Sequence, residues 1–485
     1  MRNYDFRIPQ AWQGVTPPQG VGAEEWQATL AKLHNGQVRM ANFIATYPRS
    51  LILSTPRTGK TGAALYAADY IRAQDWSRPK VLILCTKSNL LPVWKYHLDL
   101  MLPHAKVNVC IGKGAERIAE FENQADYYIM HFDTFRRVCP HVLPQAFGMV
   151  IIDEISSAYR HTNTKRHKHA QRAIAGVPYV TGLTGTPTPE GPLDAYGLGK
   201  LLGRTAESYT SMNDRMRVKI DPFRWAYKKE ATAIATELMR PSMRISAADI
   251  FPHAVKLPAQ ERWVTLTPAQ RELAAAMLDQ LKAVYNNKTF VAVHEGAKRW
   301  RMLQILSGIL YEHNLVVKAS KSVKKTTTHG LDAESRIAAL EDILDEVGNR
   351  AIIYSGLTGV ISVLKTALRT RAPYVIAGHT SAAERTRIMN RFNAGEGGPL
   401  IGEPGCMAHG LDAARGAATI IWYGPIDKGE IYEQANARIE GVNQVYPTQV
   451  YHLIGHKFEK KIYDAVSKKL NVQHALLELL REQGT

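Results

Sequence analysis

At 485 residues, with 45% hydrophobic and 22% charged side chains, the chain has the composition of a globular protein of two or three domains. Its net charge of +17 points to a polyanionic partner, nucleic acid before an anionic membrane. Four cysteines (Cys85, Cys110, Cys139, Cys406) without a C-x-x-C pair or zinc spacing argue against a disulfide scaffold, and the absence of an apolar leader or a bilayer-length run gives a cytosolic reading.

In chain order, residues 1–36 form an N-terminal segment, Pro/Gly-rich from Val15 to Gly22, with a helix opening at Ala23-Glu24-Glu25-Trp26. Gln37 follows on the approach to the next element; its amide can meet both hydrogen-bonding edges of adenine, and an ordinary surface glutamine would read the same. Ser50 to Ser54 is a short apolar run that predicts a buried strand, and Ala63 to Ala68 begins a helix. Between them, Thr55-Pro56-Arg57-Thr58-Gly59-Lys60-Thr61 reads as a phosphate-binding loop. Lys60 would reach the β- and γ-phosphates and the Thr61 hydroxyl would hold Mg²⁺. Ser54 stands where the eight-residue pattern has its first glycine, and Arg57 at a place that is often glycine.

Further strands are predicted at Val81 to Thr86, Tyr127 to Met130, Met149 to Ile152 and Val177 to Leu183, with a helix from Leu90 through Trp94. Apolar strands alternating with helices predict an α/β fold with a parallel sheet and its ligands at the carboxyl ends of the strands. Two such ends carry chemistry. Asp153-Glu154 pairs a carboxylate for Mg²⁺ with one that orients and deprotonates water, and Thr184-Gly185-Thr186-Pro187 follows the fifth predicted strand. From Arg204 to Leu257 the pattern is helical and basic, with Arg215, Arg217, Lys219, Arg224, Lys228 and Lys229. Glu261 to Leu266 reads as a strand, and Thr267-Pro268 as the N-cap and first residue of a helix. Lys318 to Thr328 is polar and basic and reads as an exposed loop. A second parallel sheet follows at Ala351 to Ser355, Tyr374 to Ile376, Pro399 to Ile401 and Ala418 to Tyr423, with a helix from Ser381 to Phe392 and no phosphate loop. The expected domains are 37–255, a linker and helical basic insertion at 256–335, and 336–485.

This order of motifs resembles the superfamily-two helicase ATPases, and within them the Swi/Snf-like translocases, over about Gly36 to Ile454. Gln37 resembles the adenine-reading motif, Ser54 to Thr61 motif I, Cys85 to Trp94 motif Ia, and His131 to Arg136 motif Ib. Asp153-Glu154-Ile155-Ser156 resembles motif II, Leu183 to Pro187 motif III, and Ala351 to Ser355 motif IV. His409-Gly410-Leu411-Asp412 resembles motif V, and Tyr432 to Arg438, running on to Gln444, motif VI. The brevity is similar to compact members from bacteriophages and bacteria.

The resemblance implies two RecA-like lobes and a catalytic set of Lys60, Glu154 and Arg438. It implies nucleotide contacts from Gln37, Thr58, Gly59, Lys60, Thr61, Gly410 and Asp412, and Mg²⁺ on Thr61 and Asp153. Nucleic-acid contacts would come from Thr86, Lys87, Thr134, Arg136 and His409. Two positions depart from the family. Ser156 replaces the usual motif II histidine, and Gly441 the second motif VI arginine, so that Arg438 acts alone or with a substitute such as Arg57. Arg160 to Arg172 reads either as the lining of a duplex channel or as a solvated helix face; His161, His167 and His169 within it lack the partners of a metal site. Lys298-Arg299-Trp300-Arg301 interleaves base and aromatic, with Trp300 equally suited to a core.

The expected function is an ATP- and Mg²⁺-dependent motor stimulated by nucleic acid, translocating on double-stranded DNA. Its rivals are a strand-separating or branch-remodelling helicase and an ATP-switched binding module with little turnover. The expected partners are DNA, duplex over single strand, and proteins of replication, recombination or repair. A monomer without membrane contact, in the cytoplasm of a bacterial or phage-infected cell, completes the expectation.

Overall fold

The computed structural model describes residues 35–74, 79–111, 115–138, 147–221, 224–250, 256–292, 294–318, 321–407, 413, 415–440 and 447–468. The helix expected at Ala23 to Trp26 and the residues His409, Gly410, Asp412 and Gly441 lie outside them. The chain forms two compact units, with the boundary between Pro252 and His253.

The first lobe contains strands β1 (Arg49–Ile52), β2 (Lys80–Cys85), β3 (Val107–Val109), β4 (Tyr127–His131), β5 (Phe147–Asp153) and β6 (Tyr179–Leu183). They are followed by the hairpin β7 (Arg217–Asp221) and β8 (Arg224–Tyr227), and by β9 (Ser242–Met243). Seven of these make one sheet in the order β3-β4-β2-β5-β6-β1-β9, every neighbouring pair parallel. A parallel sheet is covered on both faces, so its strands read as continuous apolar runs. The alternation survives in where the side chains go. Leu82, Leu84, Val150 and Ile152 join one core, while Val81, Ile83, Met149 and Ile151 join the other.

The second lobe adds β10 (Gln260–Trp263), the hairpin β11 (Lys282–Tyr285) and β12 (Lys288–Val291), and the hairpin β13 (Ile309–Lys318) and β14 (Lys321–Gly330). Its remaining strands are β15 (Ala351–Tyr354), β16 (Tyr374–Ile376), β17 (Leu400–Gly402), β18 (Thr419–Trp422) and β19 (Gln449–Ile454). Its six-stranded parallel sheet runs β10-β19-β18-β15-β17-β16. Two faces are again visible: Ile353, Ile401 and Ile421 pack in one core, Ile352, Leu400 and Ile420 in the other. The chain is thus α/β with two RecA-like lobes. The helix Pro268–Gln280 carries the expected N-cap as a full capping box, Thr267 Oγ1 accepting from the Gln270 N–H and the Gln270 side chain accepting from the Thr267 N–H.

Two expectations are corrected. The stretch after Arg204 has its helices (Tyr209–Met216, Ala231–Leu238, Ala247–Ile250) but also the β7/β8 hairpin. Within Lys318 to Thr328, residues 321–328 are strand rather than loop: the ladder pairs Ile309 with Gly330 through to Lys318 with Lys321. Both hairpins stand outside the large sheets. The insertion before the second sheet accordingly holds two helices and two hairpins. Among the described residues, no helix is long and apolar enough to cross a membrane.

Candidate nucleotide site and nucleic-acid interface

The loop after β1 turns into the helix Lys60–Gln74 through two left-handed residues, Arg57 (φ 66°) and Gly59 (φ 77°). The first explains why this place is often glycine: an L side chain held there costs on the order of 1 kcal/mol. Gly59 has a second constraint, because an added Cβ would lie 2.5 Å from Gln37 Nε2, which itself donates to the Gly59 carbonyl at 3.3 Å. Gln37, from the helix Asn35–Thr46, therefore sits against the loop. Ser54, at the first-glycine position, is fully buried, and its Oγ accepts from the Ile245 N–H at 2.9 Å, tying the loop to the chain beyond β9.

Lys60 Nζ donates to the carbonyls of Ser54 (2.7 Å) and Thr55 (2.8 Å), so the ammonium is held across the loop by its own backbone. Thr58 is buried with its hydroxyl donating to the Thr55 carbonyl at 2.9 Å. Thr61 lies in the first turn of the following helix, whose free N–H groups and positive dipole end favour an anion. Lysine, threonine and helix N-terminus together form a donor set suited to polyphosphate.

Asp153 closes β5 and is only 8% exposed. Its Oδ2 accepts from Asn89 Nδ2 (3.0 Å) and Trp94 Nε1 (2.9 Å), both on the segment that leaves β2. Two donors on one oxygen fix the carboxylate and leave Oδ1 available to a further ligand. The charge is felt nearby: burial first, and Asp153 second, push the Cys85 thiol well above its usual value. Nothing in the spacing of Asn89 and Trp94 signals a contact with a residue about sixty positions away.

Glu154 takes a left-handed conformation (φ 47°, ψ 50°) and caps the helix Ile155–Tyr159. A non-glycine residue held there stores local strain of order 1–3 kcal/mol, sustained by the surrounding fold. Ser156, the departure in motif II, is fully buried and its Oγ lies 2.8 Å from Thr184 Oγ1. Thr184 Oγ1 in turn accepts from the Thr186 N–H at 3.1 Å. The hydroxyl thus links motifs II and III directly. Gly185 lies against Pro56 of the phosphate loop, where an added Cβ would be 3.2 Å from Pro56 Cδ.

The expected nucleic-acid residues of this lobe divide. Thr86 leaves β2 with its hydroxyl 2.9 Å from Ser88 Oγ, and Lys87 beside it is exposed. Arg136 is partly exposed on the helix Phe132–Val138, near Asp133, which also pairs with Arg166 at 2.9 Å. Thr134, at 5% exposure, packs inside. In the basic stretch, His167 is a core residue with Nε2 2.9 Å from the Gly197 carbonyl, and burial lowers its pKa. Lys165 and Lys168 of the same helix face solvent. No cluster of His, Cys, Asp and Glu able to hold a metal occurs among the described residues.

In the second lobe, Arg438 lies in the short helical turn Ala437–Ile439, half-buried, with Nε donating to the Gln434 carbonyl at 3.1 Å. Trp422 Nε1 donates to Asn436 Oδ1 at 3.0 Å, anchoring this segment on β18. Trp300 is 44% exposed and is no core residue.

Phosphate loop, Asp-Glu strand end and Thr-Gly-Thr loop converging at the carboxyl edge of one parallel sheet define the class: an ATP-hydrolysing enzyme of the superfamily-two helicase and translocase type, an ATP-dependent nucleic-acid motor. Residues 23–189 match the family described as the res subunit of type III restriction enzymes. Putative protein p41 of Acyrthosiphon pisum secondary endosymbiont phage 1 is 22% identical over 472 residues, covering 91% of this chain and 96% of that protein. The Sulfolobus solfataricus SWI2/SNF2 ATPase core in complex with dsDNA aligns at TM-score 0.41 and 16% identity, covering 92% of this chain and 95% of that one.

Proposed function

We propose that the chain is a DNA-stimulated ATPase of the Swi/Snf-like branch that translocates on double-stranded DNA. The observation that carries this reading is the shared strand edge. Asp153 is held by Asn89 and Trp94, and the segment bearing them starts beside Thr86 and Lys87, so one short connection joins the hydrolytic carboxylates to the residues assigned to a strand. Lys60 and the helix N-terminus would hold the ATP phosphates. Thr61 and Asp153 would hold Mg²⁺, which neutralises phosphate charge when bound. Glu154 would orient the attacking water and take its proton, Gln37 would read adenine, and Arg438 would meet the γ-phosphate. Thr86, Lys87 and Arg136 would grip backbone phosphates, which set register without reading sequence. A phage-infected or bacterial cytoplasm suits the relationship to the phage protein p41.

The test is steady-state ATP hydrolysis by wild type and Lys60→Ala, alone and with duplex DNA, single-stranded DNA or RNA, across a salt series. Loss of Lys60 should lower turnover by at least about 10²-fold. Duplex stimulation should weaken as salt rises. Stimulation by single strands or RNA alone would shift the reading to a helicase, and ATP binding without turnover would leave only a switch.

A further inference from the structure

The β7/β8 hairpin has a face that the site above does not use. The register places Arg217 opposite Tyr227 and Lys219 opposite Trp225, so these four side chains share one side of the ribbon. Val218 and Ala226 take the other side. Trp225 is 44% exposed and Tyr227 37%. The Arg217 guanidinium lies 4.6 Å from the Tyr227 ring centre and the Lys219 ammonium 6.0 Å from that of Trp225. Arg224 is ion-paired with Asp221 at 2.5 Å and Arg215 with Glu207 at 2.6 Å, whereas Arg217 and Lys219 have no carboxylate partner among the described residues. Two cations without counter-charge, alternating with two exposed rings, complement phosphates and unstacked bases.

The ribbon is also braced toward the ATP site. Tyr227 lies over Gly191, where an added Cβ would meet its hydroxyl oxygen at 2.6 Å, and Gly191 (φ 137°) sits in the loop that begins with Thr184 to Pro187. Arg217 Nη2 donates to that same Tyr227 oxygen at 2.6 Å, and the Lys228 N–H donates to the Met216 carbonyl at 2.9 Å, closing the hairpin base. The platform therefore stands on the segment leaving motif III.

We infer that this hairpin binds an unpaired strand of DNA, with Lys219 and Arg217 on phosphates and Trp225 under a base. The inference rests on the motor reading and refines its substrate to DNA that carries a single-stranded flank beside duplex. Base stacking selects the unpaired strand, because the bases of a duplex already stack on each other.

The test titrates full-length protein with labelled single-stranded, blunt-duplex and forked oligonucleotides over a salt series, each variant being checked for fold by thermal melting. Trp225→Ala should weaken single-strand binding about 5- to 140-fold, the loss of one base–aromatic stack, and leave blunt-duplex binding unchanged. Lys219→Ala should weaken binding to the single strand and lower its salt slope by about 0.7. Val218→Ser, on the opposite face, should bind as wild type. Unchanged single-strand affinity and salt slope in both platform variants would overturn the inference while leaving the motor intact. A Trp225→Ala loss equal on duplex and single strand, or a loss in Val218→Ser, would overturn it as well. A wild type that binds no nucleic acid would overturn both readings.

Discussion

The two lobes share one architecture and spend their buried polar groups differently. In the first, Asp153 sits at a strand end with one oxygen tied to Asn89 and Trp94, and Ser156 is tied to Thr184, so part of its buried polarity lies beside the phosphate loop, while Asp69 and Arg72 are buried near Tyr127 at the start of β4. In the second, the principal buried charge lies in the core: Arg336 is 1% exposed and Glu459 0%, with Nη2 and Oε2 2.6 Å apart. Arg336 Nη1 also donates to the Tyr423 carbonyl just past β18, and Glu459 Oε2 accepts from the Gly455 N–H just past β19, at 2.7 Å. The pair thus fastens the helix Glu334–Val347 to the ends of two strands. The same sheet can place buried polarity where it serves chemistry or where it serves assembly, and only the first kind leaves a motif.

The comparison breaks most visibly at the second lobe's ion pair. Arg336→Ala leaves Glu459 buried without its partner, a change that typically costs 3–5 kcal/mol. Denaturant unfolding should show that loss in the second lobe, while the first, which supplies none of these atoms, keeps its affinity for ATP. Equal destabilisation of both lobes would mean that the pair serves more than its own core.

A smaller effect is expected where polarity serves chemistry. Asn89→Ala and Trp94→Phe each remove one donor from Asp153 Oδ2. Loss of a partner that orients a metal-binding carboxylate typically costs 10–100-fold in metal affinity or activity. The Mg²⁺ concentration needed for half-maximal ATP hydrolysis should rise accordingly in each, and Trp94→Phe, which also shrinks a fully buried ring, should lower the melting temperature as well. Unchanged Mg²⁺ dependence would remove Asn89 and Trp94 from the site.

The sheets were legible because β2, β5, β15 and β18 are apolar runs buried on both faces, a pattern that needs no knowledge of neighbours. Strand β3 was missed: three residues, none fully buried, at the edge of the sheet. The β7/β8 and β13/β14 ribbons were missed because cross-strand pairing defines them, and the lysines and threonines of their sequences read as a solvated helix or loop. Lys60, Thr61, Asp153 and Glu154 could be named as candidates from sequence because each follows a strand at the carboxyl edge of the sheet. Asn89 over Asp153, Ser156 over Thr184 and Tyr227 over Gly191 were not, since each is a meeting of separate connections that only folding brings together.

Ser156 sharpens the comparison with the smallest change. The family's usual histidine is absent, yet the position still reaches motif III, through a hydroxyl 2.8 Å from Thr184. Ser156→Ala should cost about 1 kcal/mol of stability, the net worth of one neutral hydrogen bond, because Thr184 keeps its bond from the Thr186 N–H. If the link carries information between Asp153-Glu154 and the loop beneath Tyr227, the larger consequence lies elsewhere. ATP hydrolysis without nucleic acid should stay near wild type, and the fold-stimulation by DNA should fall. Ser156→Thr, which retains a hydroxyl, should recover part of that stimulation, whereas Ser156→Ala stimulated as fully as wild type would reduce the bond to a packing detail. The ratio of stimulated to basal turnover therefore decides whether the Ser156–Thr184 contact couples hydrolysis to DNA.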